Sequence, residues 1–437
     1  MKIRISLALL SGCLAFQSAY ADIQSQDPRA LGMGGATTAA ANSAQAHLYN
    51  PSLLVNAKKN EDFNFEIYGS GRVADPLNLQ DTLADFSNQQ YISTFTTSLE
   101  AFNTTLTDPA IPITEKISTL PALIDTLTTA AENLQFGIQS LSAKSLTASA
   151  NAGLMTSVPN GKIGWAVYFN GWADAGAKFN LGAGDNQTIT DFIALPDQIL
   201  TDLENGKTTS PDALLNPVNE LDSTVTLDGV IVREFGVALA SPYTLNNYTF
   251  DVGVTPKYMA LQTFGFEQTL QQTEGESGQL DITDTQSYSA FNLDVGLSKQ
   301  LNEYWKSGLI IKNLVPQRFK TPSKSGSEIK INPAVRVGTS YRYRWATVAA
   351  DFDLTQNIAP ASGVESRYFS VGTELDLWLA KLRLGYRANL AAANNNTTSI
   401  GLGLYLLGLN IDAAAAVGQG QSGPNDVNAA LQIGLQW

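Results

Sequence analysis

The chain has 437 residues, of which 40 are acidic and 27 are basic, so its formal net charge at pH 7 is −13. An acidic balance of this size argues against nucleic acid and against anionic lipid surfaces as partners. Downstream of the N-terminus no apolar run reaches about 18 residues, which argues against membrane-spanning helices.

The N-terminus has the pattern of a secretory signal peptide. Two basic residues, Lys2 and Arg4, precede the apolar run Ile5–Phe16, and small residues surround a cleavage position after Ala21. We therefore expect residues 1–21 to be removed on secretion and to be absent from the mature chain.

The same segment contains an alternative cleavage pattern. Leu10-Ser11-Gly12-Cys13 resembles a lipoprotein box, although a short apolar core, Ile5–Leu10, would precede that cut. If cleavage instead follows Ala21, the chain's only cysteine leaves with the signal. The mature protein then has neither a disulfide nor a thiolate metal ligand.

Residues 22–60 are rich in small side chains and lack the alternation of a strand. The segment holds too few large apolar residues to form a core of its own, so we predict a compact N-terminal plug, or hatch, that packs against another part of the chain. Its candidate plug or gate residues are Arg29, Met33, Gly34, Gly35, His47, Asn50 and Pro51.

Catalysis is not expected from this chain. His47 is its only histidine, so a serine–histidine–aspartate triad or a histidine-based metal site would have to be built around it. The nearby Gly32-Met33-Gly34-Gly35 lacks the serine of a nucleophile elbow, and no phosphate-binding glycine loop occurs. We predict a structural His47, no catalytic or metal-binding residues and no cofactor.

Fourteen segments downstream of the plug are predicted strands, which assigns residues 61–437 to one antiparallel, all-β barrel. An even number is expected when both ends of the chain face the periplasm. The predicted strands cover residues 62–73, 146–158, 162–180, 226–243, 247–272, 280–301, 305–316, 329–343, 345–356, 366–377, 379–390, 397–406, 408–418 and 427–437.

The connections between these segments alternate between long and short, as in outer-membrane barrels. A soluble sandwich has no reason to sort its loops in this way. We therefore predict a transmembrane β-barrel in the outer membrane of a Gram-negative bacterium, with the long loops outside. The long connections are 74–145, 181–225, 273–279, 317–328, 357–365, 391–396 and 419–426, and the short turns lie at 159–161, 244–246, 302–304, 344, 378 and 407.

The last strand ends at an aromatic residue. Leu431, Ile433, Leu435 and Trp437 share one face that lipid would cover, and the ring of Trp437 would lie at the membrane boundary. We predict that Leu435 and Trp437 form an assembly signal. Outer-membrane lipid and the barrel-assembly machinery are then the expected partners.

A glycine recurs on the inward face of seven predicted strands. Glycine weakens a strand and marks either a bend or the close approach of another part of the chain. Both interpretations stay open: the glycines allow the barrel to curve, or they leave room for the plug. The seven are Gly236, Gly253, Gly296, Gly338, Gly372, Gly385 and Gly434.

The first long connection has helical periodicity. Apolar residues recur at three- and four-residue spacing over 77–106 and again over 113–141, which predicts two amphipathic helices in an extracellular hairpin at 78–142. The second long loop, 181–225, contains a shorter helical stretch at 190–203. The helices either bury their apolar faces on each other and on the barrel rim, or line an apolar vestibule for a hydrophobic ligand.

Charged residues on inward faces of the later strands form a predicted lattice. It either satisfies these charges away from lipid and anchors the plug, or lines a selective path for a polar solute. The inward residues are Lys330, Arg336, Arg342, Asp351, Asp353, Glu374, Asp376, Lys381, Arg383 and Arg387. Tight turns would create the opposite pairs Arg336–Asp351, Glu374–Arg383 and Asp376–Lys381.

Several phrases along the chain resemble a known family. Arg29–Ala36 with Tyr49–Ser52 resembles the start of FadL-type outer-membrane barrels, and the closer resemblance is to the TraF-like conjugal transfer family. The later phrases similar to that family are Gly253–Tyr258, Lys312–Pro316, Ala350–Thr355 and Leu382–Arg387. The resemblance implies a fourteen-stranded barrel with an N-terminal plug.

The resemblance also implies two functions. FadL-type relatives pass long-chain fatty acids and other hydrophobic compounds with the plug as a gate, which implies a plugged channel for hydrophobic small molecules. The TraF-like name implies instead a non-transporting envelope component of conjugal plasmid transfer or surface assembly. Substrate-contacting residues of FadL-type proteins have no clear match here beyond Asn50-Pro51, so none is assigned.

Overall fold

The computed structural model describes most of the chain. The predicted signal peptide over residues 1–21, including Cys13, lies outside the described residues, and so does Trp437. The described residues are 27–56, 62–207, 212–270, 284–322, 327–359, 361, 363–391, 396–419 and 424–436.

Fourteen antiparallel strands close into a barrel, which confirms the predicted all-β fold. Each barrel strand pairs with the barrel strands that precede and follow it in the chain, and the first pairs with the last. The barrel strands are β1 (Asn64–Ala74), β2 (Ser145–Val158), β3 (Gly164–Asn180), β4 (Thr224–Leu245), β5 (Tyr248–Thr269), β6 (Thr285–Gln300), β7 (Trp305–Lys312), β10 (Ala334–Tyr343), β11 (Ala346–Asp353), β14 (Tyr368–Leu377), β15 (Ala380–Asn389), β16 (Thr397–Leu406), β17 (Leu409–Gln419) and β18 (Pro424–Gln436). The numbers missing from this series belong to two short hairpins, β8 (Gln317–Lys320) with β9 (Glu328–Ile331) and β12 (Asn357–Ile358) with β13 (Glu365–Ser366).

Strand alternation sorts apolar side chains outward and polar ones inward. On β18, Leu431 is 55% exposed, whereas its neighbour Gln432 is 2% exposed. A period of two in the sequence therefore becomes an apolar outer wall and a polar lumen. Exposed aromatic side chains gather near the short turns: Trp165, Tyr243, Tyr248, Tyr304, Trp305, Tyr343, Trp345 and Trp378.

Residues 27–56, called the plug from here on, lie against the inner faces of the strands and are mostly buried. The first helix begins where the Asp27 carboxylate accepts hydrogen bonds from the backbone N–H groups of Arg29 and Ala30, at 2.8 and 3.1 Å. The helical parts of the plug are α1 (Pro28–Gly32), α2 (Ala46–Tyr49) and a 3-10 helix (Pro51–Val55).

Four helices cover the end of the barrel that carries the long loops. The prediction of one continuous helix over 77–106 is wrong, because the chain turns at Gln90, whose φ of 51° lies in the left-handed region. The helices are α3 (Leu79–Asn88), α4 (Tyr91–Thr107), α5 (Ile113–Leu141) and α6 (Asp185–Glu204). Among the described helices, none combines the length and the apolar composition that crossing a membrane requires.

The four helices, named the lid, share one apolar core with the barrel rim. Phe95 of α4 packs edge-on against Phe192 of α6, with ring centroids 5.3 Å apart. Phe179 at the end of β3 and Leu270 just after β5 belong to the same buried cluster. The apolar faces of the helices are therefore buried against each other and against the rim.

One long loop folds back into the lumen as the hairpin of β8 and β9. Phe319 and Ile329 on this hairpin are buried in a cluster with Val232 of β4 and Leu261 of β5. Both strand residues point inward, so the hairpin adds an apolar layer inside the barrel. This layer lies between the lid and the plug.

The predicted strand over 329–343 is wrong at its start. The chain breaks at Asn332-Pro333, and the proline cannot donate to a ladder because it has no N–H. Lys330 consequently lies on β9 opposite Arg318, in the inner hairpin and not on the barrel wall.

Five of the seven inward glycines lie against the plug, so they leave room for it. A methyl group added to Gly253 would collide with the backbone nitrogen of Ser52. One added to Gly385 would collide with the nitrogen of Gly34. The five are Gly253, Gly296, Gly338, Gly372 and Gly385, whereas Gly236 and Gly434 face side chains of neighbouring strands.

Gly253→Val should displace the plug while the barrel still folds. The added side chain would occupy the position of the Ser52 backbone, and overpacking of this kind costs about 1–3 kcal/mol. A cysteine placed at Ala44, which is buried in the plug, should react with a maleimide about tenfold faster in the variant. The matched control is Gly171→Val, because a Cβ added there lies no closer than 3.8 Å to a neighbouring atom. Equal labelling rates in the two variants would contradict the position of the plug.

Candidate functional site

The candidate site is the plug seat, where plug atoms meet inward side chains of the barrel. Asp351 on β11 accepts hydrogen bonds from the backbone N–H groups of Thr37 and Thr38 at 2.8 Å each, and from the Thr38 hydroxyl at 2.7 Å. Asp351 is 2% exposed, and all three donors bind its Oδ2, so they replace the water that this oxygen otherwise binds. The Asp351 carboxylate therefore holds a turn of the plug mainly through hydrogen bonds to the plug backbone.

Arg29 is the only lysine or arginine in residues 27–56, and it is paired inside the barrel. Its guanidinium donates to both carboxylate oxygens of Glu374, with Nε–Oε2 at 2.8 Å and Nη2–Oε1 at 3.1 Å. Its Nη1 donates to the carbonyl of Ala40 within the plug at 2.7 Å. A bidentate pair of this geometry is stronger than a single ionic hydrogen bond.

A second arginine extends this contact across the wall. Arg383 on β15 donates to Glu374 Oε2 at 2.8 Å and to Asp412 of β17 at 2.5 Å. Arg29, Glu374, Arg383 and Asp412, here named the latch, are all buried and carry two positive and two negative charges. Removing one partner of a buried ion pair typically costs about 3–5 kcal/mol, because a charge is left unpaired.

The Asn50 side chain connects the plug to the wall and also connects two parts of the plug. Its amide nitrogen donates to the carbonyl of Thr38 in the plug at 2.8 Å and to that of Leu297 on β6 at 3.1 Å. Its Oδ1 accepts from the backbone N–H of Ser52 at 3.2 Å and from the Ser52 hydroxyl at 2.7 Å. This cap starts the 3-10 helix whose first residue is Pro51.

Met33, Gly34 and Gly35 form the turn after α1. Gly34 has a φ of 64° and lies so close to the backbone of Tyr386 that a side chain does not fit. The carbonyl of Gly35 accepts a long hydrogen bond from Arg336 Nη1 at 3.5 Å, and Met33 is fully buried. The small residues of this turn therefore allow the plug backbone to approach the wall.

His47 is buried between the plug and the wall. Its Nδ1 lies 3.1 Å from the carbonyl of Ala44, and its ring centroid lies 4.8 Å from that of Tyr168. Burial lowers the pKa of His47 to about 3 from its ordinary 6.5, so the ring is neutral in the seated plug. Acidification from pH 6.5 toward 3 therefore favours states in which His47 is exposed and protonated.

Two of the predicted opposite pairs are observed, namely Glu374–Arg383 and Asp376–Lys381. The Asp376–Lys381 contact is 4.0 Å long and its carboxylate is half-exposed, so it contributes little to stability. Arg387 lies over the ring of Tyr368, with 4.3 Å between the guanidinium carbon and the ring centroid. The inward charges therefore differ in role, and only the first pair belongs to the latch.

The predicted pair Arg336–Asp351 is wrong by two residues. The turn after β10 contains two residues, with Arg344 at a left-handed φ of 54°, so Arg336 lies opposite Asp353. The Arg336 Nε to Asp353 Oδ1 distance is 2.5 Å. Asp351 lies opposite Gly338, and its carboxylate reaches the plug instead.

Several residues of the seat were not predicted from the sequence. Alternation places Asp412 inward on β17, but its partner Arg383 is two strands away, across β16. The register of adjacent strands predicts only contacts between neighbouring strands, so it cannot predict this one. The other contacts that were not predicted are Gln45 with Glu66 and Gln432, Lys312 with the carbonyl of Leu48, and Ser340 with the carbonyl of Ala39.

Hydrogen bonds, ion pairs and apolar contacts join the plug to the wall, so the plug can leave its seat without breaking a covalent bond. Within the described residues, no group of three His, Cys, Asp or Glu side chains is placed to hold a metal ion. Leu435, the described member of the predicted assembly signal, points outward on β18.

Solved structures that resemble this chain have low sequence identity to it. The toluene transporter TodX of Pseudomonas putida covers 95% of this chain and 99% of its own, at 12% identity and a TM-score of 0.44. A FadL homologue of Pseudomonas aeruginosa covers 96% and 99%, at 8% identity and a TM-score of 0.48. The CymD monoaromatic hydrocarbon channel also covers 96% and 99%, at 12% identity and a TM-score of 0.47. At these values the similarities carry no argument about activity.

A comparison with family models gives a closer assignment. No curated protein sequence matches this chain. The model described as "F plasmid transfer operon, TraF, protein" matches residues 47–353, from plug helix α2 to the end of β11. Because the match extends over more than half of the sequence, the chain belongs to the family of F plasmid transfer operon TraF proteins.

Proposed function

We propose that this protein is a plugged channel in the outer membrane of a Gram-negative bacterium, and that it passes small hydrophobic molecules. The observation that carries the proposal is the plug, which lies inside a closed barrel and is held there by reversible contacts. The apolar outer wall and the aromatic side chains near the short turns support a lipid surrounding. We infer that the short turns face the periplasm.

The order of layers inside the barrel favours a hydrophobic solute. A molecule entering from the long-loop end would meet the apolar core of the lid and then the apolar cluster around Phe319. When the lid or the inner hairpin moves, the apolar side chains of both layers would contact a hydrophobic molecule and remove its surface from water. The polar plug seat follows and would form the last barrier, so the plug must move for passage.

The latch should control how often the plug leaves its seat. Glu374→Gln removes the shared carboxylate of Arg29 and Arg383, and a lost hydrogen bond to a charged group costs about 1.5–3 kcal/mol. We expect release of the plug to become about 10- to 100-fold more frequent. Uptake of a fluorescent hydrophobic probe into proteoliposomes should rise accordingly.

The control for this experiment is Asp376→Asn, on the same strand two residues away. Its carboxylate is half-exposed and 4.0 Å from Lys381, so its loss should leave uptake unchanged. Heat-modifiable mobility on gels would establish that both variants fold. Folded Glu374→Gln protein with the uptake of the parent would show that the latch does not limit passage.

Removal of the lid should leave the barrel folded and raise entry of bulky hydrophobic probes. Residues 79–141 and 185–220 would be replaced together by glycine–serine linkers, because these helices share one core. All fourteen strands pair outside the two segments. Flux of a small polar solute should stay low, since the plug remains seated.

The lid experiment has two outcomes against the proposal. Loss of the folded barrel would make the helices part of the structural core. A folded barrel with unchanged probe uptake would indicate a surface for docking a partner protein.

A second candidate function is a non-transporting role in conjugal plasmid transfer or surface assembly, which the family match favours. Deletion of the gene should then lower plasmid transfer frequency, and complementation with a protein whose plug is cross-linked to the barrel should restore it. A channel role predicts that the cross-linked protein fails to restore uptake. Unchanged transfer after deletion would contradict the second candidate.

A further inference from the structure

A cavity of about 380 Å³ lies between the plug and the wall at the short-turn end of the barrel. Its rim includes Glu303 and Tyr304 of the exposed turn between β6 and β7. The cavity lies on the opposite side of the plug from the apolar layers. Its size is within the range of small-molecule sites, which is roughly 300–1,000 Å³.

The wall of this cavity carries an excess of positive charge. Lys306, Arg342 and Lys381 line it, together with the carboxylate of Glu303. Glu374 also lines it, but both of its oxygens are already bound by the latch. The positive lining therefore has the opposite sign to the net charge of the whole chain, which is −13.

Among the described residues, no carboxylate lies within ion-pair distance of Lys306 or Arg342. Asp251 on β5, two strands from β7, acts on Lys306 from a longer distance. Asp376 reaches Lys381 only at 4.0 Å. Neither aspartate lines the cavity, so an anion inside it could approach Lys306 and Arg342. Lys381 lies over the ring of Tyr405, with 4.0 Å between Nζ and the ring centroid.

Strand register places hydroxyl groups beside these cations. Lys306 lies opposite Ser340, whose hydroxyl donates to the Ala39 carbonyl, and Arg342 lies opposite Thr347. The Thr347 hydroxyl oxygen accepts from Arg342 Nε at 3.2 Å, which leaves its own proton available. Ammonium, guanidinium and hydroxyl donors on one inward face match the oxygens of a carboxylate or phosphate group.

We propose that this cavity binds a small molecule with a carboxylate or phosphate group, and that binding holds the plug in its seat. The second half of the proposal follows from the lining, because residues 39–43 and Arg29 of the plug form the opposite wall. A ligand that contacts both parts binds the seated state better than the released state, so it stabilises the seated state. The inference concerns the seat and holds whether or not the channel passes hydrophobic molecules.

The test uses the full mature protein in detergent, titrated calorimetrically with inorganic phosphate and separately with succinate. The variants Lys306→Gln and Arg342→Gln remove one cation each. Lys162→Gln is the matched control, since it removes an exposed cation at another short turn. A cysteine at Ala44 reports plug release through its rate of maleimide labelling in the presence and absence of each anion.

We expect saturable binding of at least one of the two anions, and the one that binds assigns the class as carboxylate or phosphate. Each cavity variant should weaken binding about tenfold or more, while Lys162→Gln leaves it unchanged. Saturating anion should slow labelling in the parent protein and not in Lys306→Gln.

Three results would overturn the proposal. The first is no saturable binding of either anion up to about 10 mM, a concentration at which even weak sites fill. The second is equal weakening by Lys162→Gln, which would reduce the effect to general attraction by surface charge. The third is binding with no change in labelling, which would remove the link to the plug.

Discussion

A charge buried inside a closed barrel must be neutralised by another part of the same chain, because water is largely excluded from it. This constraint organises the interior of the molecule. On the wall, Glu374 and Asp412 share one arginine, Arg383, which leaves a net charge of −1. Arg29 of the plug balances that charge when it pairs with Glu374. Seating of the plug and neutralisation of the wall are therefore one event.

The plug is held in the barrel by apolar packing and by polar contacts that follow from the same constraint. Leu48, Leu53 and Leu54 of the plug are buried against inward residues of the wall, and burial of each such side chain contributes about 1.5–3 kcal/mol. Polar contacts from Asp351 and Asn50 add direction to this packing, since Asp351 binds plug backbone and Asn50 connects the plug to the wall. Glycines on the facing strands permit the short distances that these contacts require.

Much of the architecture could be predicted from the sequence, because alternation with a period of two is local information. It located all fourteen strands and gave the inward direction of Glu374 and Asp351. What alternation does not contain is the length of each turn. The predicted pairing of Arg336 with Asp351 was therefore wrong by two residues, and Asp351 lies opposite Gly338 instead.

Contacts between distant segments could not be predicted either, because alternation describes only neighbouring residues. The link from Arg383 to Asp412 crosses an intervening strand, and the hairpin of Phe319 folds inward from a loop that was expected outside. Both depend on the closed three-dimensional shape and not on neighbouring residues. The break at Gln90 was also not predictable from the sequence. Gln90 is not a glycine but has a left-handed φ, and it divides a helix whose apolar periodicity continues across it.

The central claim is that passage requires the plug to leave its seat. Its most direct test is a cleavable bis-thiol cross-link between cysteines at Ala39 and Ser340, whose hydroxyl lies 3.0 Å from the Ala39 carbonyl. The account predicts that cross-linking abolishes uptake of a hydrophobic probe by proteoliposomes, and that cleavage restores it. Uptake that is the same before and after cleavage would contradict the claim.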